Sequence, residues 1–457
     1  MRGSPNLPSV NALTPVDFAG LLARGSGRAH LILESDDSGI YDDVLVAECL
    51  RNDLYDYQLE GGRAHYLHEL ADLAGVTDRL AAALVEALDG DDDYHIDYRF
   101  EMGAILAREG KPGLREAMWS AFERLVDRWS DTPRNSWPMT ELALELVRLD
   151  GLPAVIRVCH QFGRLAAEGS DDCWDHDYLL SEARTVVAET AVDDALAQER
   201  AGDPLIDAYL RAVEAKPAKP AAGRDAMKSR SEMSWPEARE EIERLARTTN
   251  QSGIGWSQWG KRASDQDLAQ AARALVDLPQ DDPALLRSYV SIFGRRTFPL
   301  DPGALIALLD DPREKVAWSA ANALEQIKHP SVRAAALRMA EQGQLRQRAL
   351  DLLAANWEPG DEYIAERLLA GEDDRERLHS LGLGLGDVVK AHESTSLVPS
   401  LLLGYERTPC SLCRYGFVES LIRLAALPDE LRAECLWDAD SDTRKLVSPV
   451  GDGQLPA

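Results

Sequence analysis

Residues 305–355 read LIALLDDPREKVAWSAANALEQIKHPSVRAAALRMAEQGQLRQRALDLLAA, and this stretch decides the fold. One pattern occurs in it three times, in the segments 316–324, 332–340 and 345–353. Each copy has apolar residues at positions i, i+4, i+5, i+7 and i+8, which form one stripe of an amphipathic helix. Before the first copy an Asp-Asp pair precedes Pro312, where we expect one helix to end and the next to begin with the proline at its first position. The stretch therefore predicts consecutive helices that pack side by side.

The small residues of this pattern, such as Ala320 and Ala336, let neighbouring helices approach each other closely. In these positions the stretch resembles the HEAT-repeat family, in the HEAT-like form that is named after phycobilisome (PBS) lyases. The resemblance implies an all-α fold, a right-handed α-α superhelix (an α-solenoid) of HEAT-like helical hairpins. It concerns the fold alone, because one fold can carry many unrelated functions.

Helical patterns separated by short Gly, Asp or Pro breaks continue on both sides of this stretch. Thr14 followed by Pro15 is typical of the start of a helix, with the threonine as N-cap. The segment around residues 215–223 is rich in Pro, Ala and Lys and has no apolar period, so we expect an exposed linker there. The sequence thus predicts a flexible tail at 1–13, an N-terminal helical repeat block at 14–214, a linker at 215–233, a C-terminal HEAT-like repeat block at 234–447 and a flexible tail at 448–457.

The chain has 457 residues and a formal net charge of −28, since 78 Asp and Glu outnumber 50 Lys and Arg. A charge of this size repels phosphate backbones and anionic lipids, so we expect neither nucleic acid nor a membrane as partner. No apolar run approaches the roughly 20 residues that span a bilayer, and the first residues lack the apolar core of a signal peptide. Six cysteines in a chain of this length do not predict a disulfide framework. We therefore expect a cytoplasmic protein with reduced thiols.

The tetrapeptide Ala-Glu-Cys-Leu occurs at 47–50 and again at 433–436. We interpret the two copies as equivalent helix ends in a repeat array, and chance identity is the alternative. Directly after the first copy, the segment 52–66 is dense in polar side chains, among them Glu60 and Arg63. These side chains form either a polar binding site or a buried network that fixes the first repeat. The need of repeat arrays for special end units favours the buried network.

Residues 253–262 read GIGWSQWGKR and combine glycines with two tryptophans and two adjacent positive charges. The segment matches neither a Rossmann nor a Walker pattern, so phosphate binding has no specific support. Tryptophan and arginine are common hot spots of protein interfaces. We therefore hypothesise that Trp256, Trp259, Lys261 and Arg262 contact a partner. The alternative for the two tryptophans is packing between the linker and the repeat core.

Cys410 and Cys413 follow a Thr-Pro pair, which predicts both thiols in the first turn of a helix. The helix dipole and the free N–H groups lower the pKa of a thiol there, which suits a dithiol redox centre or half of a zinc site. Zinc usually takes four ligands, whereas only Cys435 follows and no histidine lies beyond His392. We therefore expect structural thiols, no bound metal and no cofactor.

The predicted function is a non-catalytic protein–protein interaction scaffold that binds a partner on the concave face of the superhelix. Because the array is acidic, electrostatic steering favours a protein partner of basic or mixed charge. One alternative is an enzyme on a HEAT-like fold, since the repeats resemble bacterial alkylpurine DNA glycosylases and phycobilin lyases. No catalytic residue can be transferred from either, so catalysis is the weaker interpretation. The other alternative is a thiol or zinc protein that uses Cys410 and Cys413. The identity of the partner and the oligomeric state do not follow from the sequence.

Overall fold

The computed structural model describes residues 13–35, 38–56, 60–90, 95–129, 137–169, 176–215, 230, 232–248, 255–279, 282–342 and 345–448. All regular secondary structure in these ranges is helical, which confirms the all-α prediction. The predicted tails, apart from residues 13 and 448, and most of the predicted linker lie outside the described residues. No described helix is both long and apolar enough to cross a bilayer.

The described residues divide into two compact units, one from Pro8–Ala218 together with Glu430–Ala457 and one from Lys219–Asp429. We call them the N-terminal unit and the C-terminal unit. The helices of the N-terminal unit are Pro15–Arg24, Arg28–Ser35, Asp42–Glu48, Arg63–Leu73, Thr77–Asp89, Ile96–Arg108, Leu114–Trp129, Trp137–Asp150, Leu152–Ala167, His176–Val187, Glu189–Arg200, Pro204–Ala215, Asp429–Cys435 and Ser441–Val447. Most of these helices pack on the next helix along the chain and on the next but one.

The helices of the C-terminal unit are Trp235–Thr248, Trp256–Arg262, Asp265–Val276, Pro283–Ser291, Gly303–Ala307, Glu314–Leu324, Pro330–Gln342, Ala349–Ala354, Glu362–Ala370, Arg375–His392, Val398–Arg407 and Ser411–Arg423. Short 3-10 turns lie at Ile292–Arg295, Leu308–Asp310, Arg346–Arg348 and Thr395–Leu397. The packing again joins mainly neighbours and next-but-one neighbours in the chain. Contacts of this local kind are typical of stacked helical hairpins.

The three copies of the apolar pattern in 305–355 all bury their apolar positions, with one partial exception at Leu337. The first two copies lie in the helices Glu314–Leu324 and Pro330–Gln342. The third copy begins as the 3-10 turn Arg346–Arg348 before it continues as an α-helix. Pro312 is not the first helical residue as predicted, because the helix begins at Glu314.

Helix starts that depend on local chemistry agree with the sequence. The side-chain oxygen of Thr14 accepts a hydrogen bond from the Asp17 N–H, and the Asp17 carboxylate accepts one from the Thr14 N–H. Ser264 likewise caps its helix by accepting from the Asp267 N–H at 3.1 Å. Such caps satisfy donors that a helix start would otherwise leave without partners.

The two Ala-Glu-Cys-Leu copies occupy similar positions at helix ends, and both lie in the N-terminal unit. In each copy the glutamate pairs with a buried arginine at the start of another helix. Glu48 pairs with Arg63 at 3.4 Å, and Glu434 pairs with Arg28 at 2.9 Å. In the polar segment 52–66, Arg63 is thus buried in an ion pair, as a buried network requires, while Asn52, Leu54 and Glu60 line a pocket of the N-terminal unit, as a binding site requires.

The segment after residue 429 thus packs with the first helices of the chain, whereas the predicted C-terminal block ran on to residue 447. The Ala439 N–H donates to the Gly25 carbonyl at 2.9 Å, and the rings of His30 and Trp437 stack with centroids 3.6 Å apart. A Cβ on Gly27 would lie 1.9 Å from the Glu434 carbonyl oxygen. Only glycine permits this close approach of the two backbones.

Replacing Glu434 with Gln tests this attachment. Both Glu434 and Arg28 are almost fully buried, so the variant removes a carboxylate charge that lies 2.9 Å from the buried guanidinium of Arg28. Loss of one member of a buried ion pair destabilises a protein by about 3–5 kcal/mol. We expect a loss of this size in the free energy of unfolding of the N-terminal unit, measured by urea denaturation.

Glu69→Gln is the matched control, because the Glu69 carboxylate pairs with Arg444 of the same C-terminal segment at 2.9 Å but is exposed. Exposed ion pairs contribute about 0–1 kcal/mol. Equal effects of Glu434→Gln and Glu69→Gln on the unfolding free energy would show that burial of the Arg28 pair does not hold the segment.

The alanines of the repeat pattern allow a second stability test. Ala336 is fully buried in the helix Pro330–Gln342, whereas Ala334 of the same helix is exposed. We expect Ala336→Leu to destabilise the C-terminal unit by about 1–3 kcal/mol through overpacking, and Ala320→Leu to act alike. Ala334→Leu should leave the thermal midpoint nearly unchanged. Midpoints that fall equally in the Ala334 and Ala336 variants would contradict the close-approach role of Ala336.

Candidate functional site

The predicted partner-contact segment lies at the helix Trp256–Arg262 of the C-terminal unit. Trp256 is 1 % exposed and Trp259 is fully buried. The Trp259 indole N–H donates to the Met233 carbonyl oxygen at 2.9 Å, and its ring lies 5.8 Å from that of Trp235. The two indoles therefore do not offer the exposed aromatic area that the contact hypothesis needs, and the packing alternative describes them. Lys261 and Arg262 are exposed.

This short helix is held against the 3-10 turn Ile292–Arg295 by close backbone contact. A Cβ on Gly260 would lie 1.9 Å from the Ile292 carbonyl oxygen, so a larger residue cannot occupy this position without displacing the turn. This contact places the side chain of Ser257 beside side chains of the helices Pro283–Ser291 and Glu314–Leu324. Ser257, the neighbour of the buried Trp256, lines an open cleft there.

The cleft has a volume of about 630 Å³ and lies between consecutive helices of the C-terminal unit. Its lining is polar and includes three cationic residues, one acidic residue and one tryptophan: Arg287, Arg295, Lys315, Glu314 and Trp318. Clefts of about 300–1,000 Å³ are the usual size of ligand sites in proteins.

The three cations of the cleft differ from most arginines of the chain. Within the part of the chain that the structure describes, Arg287, Arg295 and Lys315 form no ion pair. Arg295 and Lys315 are exposed, and Arg287 is partly buried. Arg296, the neighbour of Arg295, instead pairs with Asp265 at 2.8 Å. The cleft therefore carries an excess of positive charge, since its lining has three cations against the single carboxylate of Glu314 and none of the three cations is in an ion pair with a described residue.

Trp318 is held from within the unit by a buried arginine. The guanidinium carbon of Arg348 lies 4.3 Å from the centroid of the Trp318 ring, a cation–π distance. Arg348 also forms ion pairs with Glu325 and Asp351, and its guanidinium donates to the Asn322 amide oxygen at 2.8 Å. This fixed support restricts the orientation of a cleft-lining aromatic ring.

A second group of reactive side chains lies elsewhere in the C-terminal unit. Cys410 is the N-cap of the helix Ser411–Arg423 and Cys413 is its third residue, which confirms the predicted position in the first turn. His379 reaches them from the helix Arg375–His392. The ligand atoms of all three lie within 4.8 Å of one another, and Cys413 Sγ is 3.5 Å from His379 Nδ1.

The environment of Cys410 favours its thiolate. Hydrogen bonding to Cys413 is the main cause that lowers the pKa of Cys410 to about 4, and His379 adds to the effect. Burial alone has the opposite effect, as it does at Cys159, where it raises the pKa to about 12. Cys410 and Cys413 are free thiols that are almost fully buried.

His379 is the residue that the sequence analysis missed, because the search considered only residues that follow the cysteine pair. His379 precedes Cys413 by 34 positions, and the packing of two helices brings the side chains together. Histidines on the preceding hairpin were the available signal, since neighbouring hairpins of a repeat array are in contact.

The N-terminal unit contains a smaller pocket of about 210 Å³ with acidic walls, including Asp97, Glu101, Glu141 and Glu145. Burial, with the charge of Glu145 as the next cause, raises the pKa of Glu101 to about 7. Burial also raises the pKa of Glu141. Glu101 of the folded protein therefore ionises in the neutral pH range and not near pH 4.5.

This pKa shift predicts a pH-dependent stability. The folded protein holds the Glu101 proton more tightly than the unfolded chain, where the pKa is near 4.5. The contribution of Glu101 to stability is thus complete below about pH 4.5 and is lost as pH rises through about 7. Relative to the wild type, Glu101→Gln should gain about 1–3 kcal/mol in the free energy of unfolding between pH 5 and pH 8. The measurement is urea denaturation at both pH values.

Glu86→Gln is the control, because Glu86 is exposed on the neighbouring helix Thr77–Asp89 and the substitution removes the same charge. It should show no such gain. A Glu101 variant whose stability relative to wild type does not change with pH would show that this carboxyl ionises normally.

The chain matches no protein-family model, no curated protein and no solved structure. The HEAT-like resemblance of residues 305–355 therefore stays a resemblance, and membership of a family is not shown. A function for this chain has to be argued from the cleft, the thiol cluster and their surroundings.

Proposed function

We propose that this chain is a non-catalytic binding protein whose C-terminal unit is a HEAT-like superhelix that holds an acidic segment of a protein partner. The packing of each helix on its next neighbours supports the superhelical arrangement. In such an array one face is a continuous groove, and the cleft around Trp318 would be its docking point. Trp256 and Trp259 then support the cleft from behind rather than contacting the partner.

The observation that carries this proposal is the collection of cations in one open cleft of an acidic chain. With a net charge of −28, carboxylates are abundant, yet Arg287, Arg295 and Lys315 have no ion pair within the described residues. Screening limits electrostatic attraction to about 8 Å at physiological salt. A ligand carboxylate in the cleft would therefore be attracted by these three cations, while most of the acidic surface acts only weakly on it.

The remaining cleft residues favour a ligand that is not uniformly anionic. Glu314 lines the same cleft and repels a uniformly anionic ligand such as a nucleic-acid backbone. Trp318 offers a rigid apolar ring for an aliphatic or aromatic side chain next to the ligand's carboxylates. A peptide segment with spaced acidic residues and at least one apolar residue fits this arrangement better than a polyanion. This docking segment is acidic, whereas the net charge of the chain favours a partner of basic or mixed charge, so we propose an acidic segment on a partner that also carries basic residues elsewhere.

An enzyme on the same fold is the second candidate, and one observation favours it. Cations, a tryptophan and the Glu314 carboxylate meet in one cleft, a combination that a base-excising enzyme also requires. The overall negative charge opposes nucleic-acid binding, and no residue of the cleft is assigned a catalytic role. Competition between peptide and oligonucleotide separates the two candidates.

The proposed function predicts the outcome of a peptide selection. A random peptide library selected on the wild-type protein should yield peptides rich in Asp and Glu with an apolar residue. Lys315→Glu reverses one cleft charge and should weaken a selected peptide about tenfold or more, or about 1.4 kcal/mol of binding free energy, in fluorescence anisotropy. The loss should shrink at high salt.

Lys328→Glu provides the control, because Lys328 is exposed, does not line the cleft and undergoes the same change of charge. Its affinity for the peptide should stay within about twofold of wild type, since distant surface charges are screened. Equal losses in the Lys315 and Lys328 variants would refute the docking site. A short single-stranded oligonucleotide that displaces the peptide from wild type but not from Lys315→Glu would favour the enzyme candidate instead.

A further inference from the structure

The cluster of Cys410, Cys413 and His379 lies in the same unit as the cleft but lines none of it. It joins two helices, Arg375–His392 and Ser411–Arg423, at one point. Gly382 of the helix Arg375–His392 lies beside it, since a Cβ at this position would be in ordinary van der Waals contact, at 3.5 Å, with Cys413 Sγ and with the ring of the buried Phe417. The three donor atoms thus converge where the two helices pack together.

We propose that Cys410, Cys413 and His379 bind a Zn²⁺ ion, with two thiolates and one imidazole nitrogen as ligands. This site is independent of the proposed partner binding. Two sulfur donors and one nitrogen donor are a ligand set that zinc prefers over hard-ligand cations such as Mg²⁺ and Ca²⁺.

The distances agree with a zinc tetrahedron. Zinc lies about 2.3 Å from a thiolate sulfur and about 2.0–2.1 Å from an imidazole nitrogen, so the sulfur–nitrogen edge of a tetrahedron is about 3.5 Å. Cys413 Sγ and His379 Nδ1 are 3.5 Å apart. No two of the three donor atoms are more than 4.8 Å apart. The sulfur–sulfur edge of a zinc tetrahedron is about 3.8 Å, so the two sulfur atoms would move toward each other by about 1 Å at most when zinc binds.

Charge balance also favours a metal. Both thiols are almost fully buried, at 1 % and 8 % exposure, and two buried thiolates without counter-charge are unfavourable. A divalent cation neutralises both.

The arrangement provides three ligands among the residues that the structure describes. Structural zinc sites have four protein ligands, whereas sites that bind a water or another small ligand have three and an open position. His379 is partly exposed while both cysteines are buried, so solvent reaches the cluster from the histidine side. The fourth position of the proposed site therefore takes a water molecule.

A dithiol–disulfide pair is the competing chemistry for a Cys-x-x-Cys sequence at a helix start. Exchange with a redox partner requires an accessible attacking sulfur. Cys410 has 1 % of its surface exposed, so a protein disulfide cannot approach it in this conformation. The third donor, His379, serves a metal but is not required for exchange.

The test uses the full chain, purified without an affinity tag and without added metal. Elemental analysis by mass spectrometry should find about one zinc per chain. Replacement of zinc by Co²⁺ should give the visible absorption of a tetrahedral site and an ultraviolet thiolate-to-cobalt band. Zinc content well below one per chain, together with the absence of that band after Co²⁺ titration of the chelator-treated protein, would overturn the proposal.

Variants connect the metal to these residues. Cys410→Ser and Cys413→Ser should lose the stoichiometric zinc, and His379→Gln should bind it at least tenfold more weakly. Cys159→Ser and His65→Gln are the controls, because these residues lie in the N-terminal unit and should leave the metal content unchanged. Retention of full zinc content by Cys410→Ser would refute the assignment.

A variant that fails to fold is covered by a measurement on the wild-type chain. After chelation of zinc, a small thiol reagent should modify Cys410 and Cys413 slowly, through local opening of the helix contact, and added Zn²⁺ should slow this reaction at these two cysteines alone, as shown by peptide mapping. Modification that Zn²⁺ does not slow would contradict the site. Formation of a Cys410–Cys413 disulfide under a mild oxidant at the same rate with and without Zn²⁺ would identify a redox pair instead.

Discussion

A buried charge must have a partner, and in the N-terminal unit this constraint is met by the ion pair of Arg28 and Glu434. The two groups lie 2.9 Å apart, and both side chains are less than one-tenth exposed. Ser26 adds a hydrogen bond from its hydroxyl to the same carboxylate at 2.8 Å. Desolvation of either charge alone is far more unfavourable than desolvation of the pair. The first helices of the N-terminal unit therefore depend on the segment after residue 429, which contains Glu434 and follows the C-terminal unit in the sequence. Contact across 406 positions makes this unit discontinuous in sequence.

The same constraint explains the glycine next to the arginine. Arg28 reaches Glu434 only if the backbones approach, and Gly27 is the residue that would collide with the Glu434 carbonyl if it carried a Cβ. A Gly-Arg pair recurs at Gly62 and Arg63, where Arg63 pairs with Glu48 and donates to the Leu22 carbonyl at 2.9 Å. Here the glycine does not face its glutamate, because a Cβ on Gly62 would lie 3.2 Å from the Ala439 carbonyl oxygen. A Gly-Arg-Ala-His sequence occurs at both places, at 27–30 and 62–65. Because this sequence and a buried arginine–glutamate pair occur together twice, we infer that the pair is a recurrent structural element of the N-terminal unit.

Local physical chemistry made part of this structure predictable. The helix starts at Thr14 and Ser264, and the place of Cys410 at a helix start, depend on residues a few positions apart. Long-range packing was not predictable in the same way. His379 joins the cysteine pair across 34 positions, and the burial of Trp259 follows from its contacts with Trp235 and Met233. Amphipathic periodicity shows which face of a helix is buried but not which other helix covers it.

In the C-terminal unit, too, a buried charge has partners whereas an exposed charge does not require one. The guanidinium of Arg348 is buried, and its partners are the carboxylates of Glu325 and Asp351 and the amide oxygen of Asn322. Among the cations of the cleft, Arg295 and Lys315 are exposed, and an exposed charge is solvated by water and does not require a carboxylate partner. The thiols of Cys410 and Cys413 are buried, so the constraint on buried charges applies to them as it does to Arg348. If they ionise they need a counter-charge that water does not supply, and a single imidazolium would balance only half of two thiolates. The rule that places Glu434 beside Arg28 therefore also favours the divalent ion that we propose beside the two cysteines, while it requires no fixed counter-charge for the exposed Arg295 and Lys315 of the cleft.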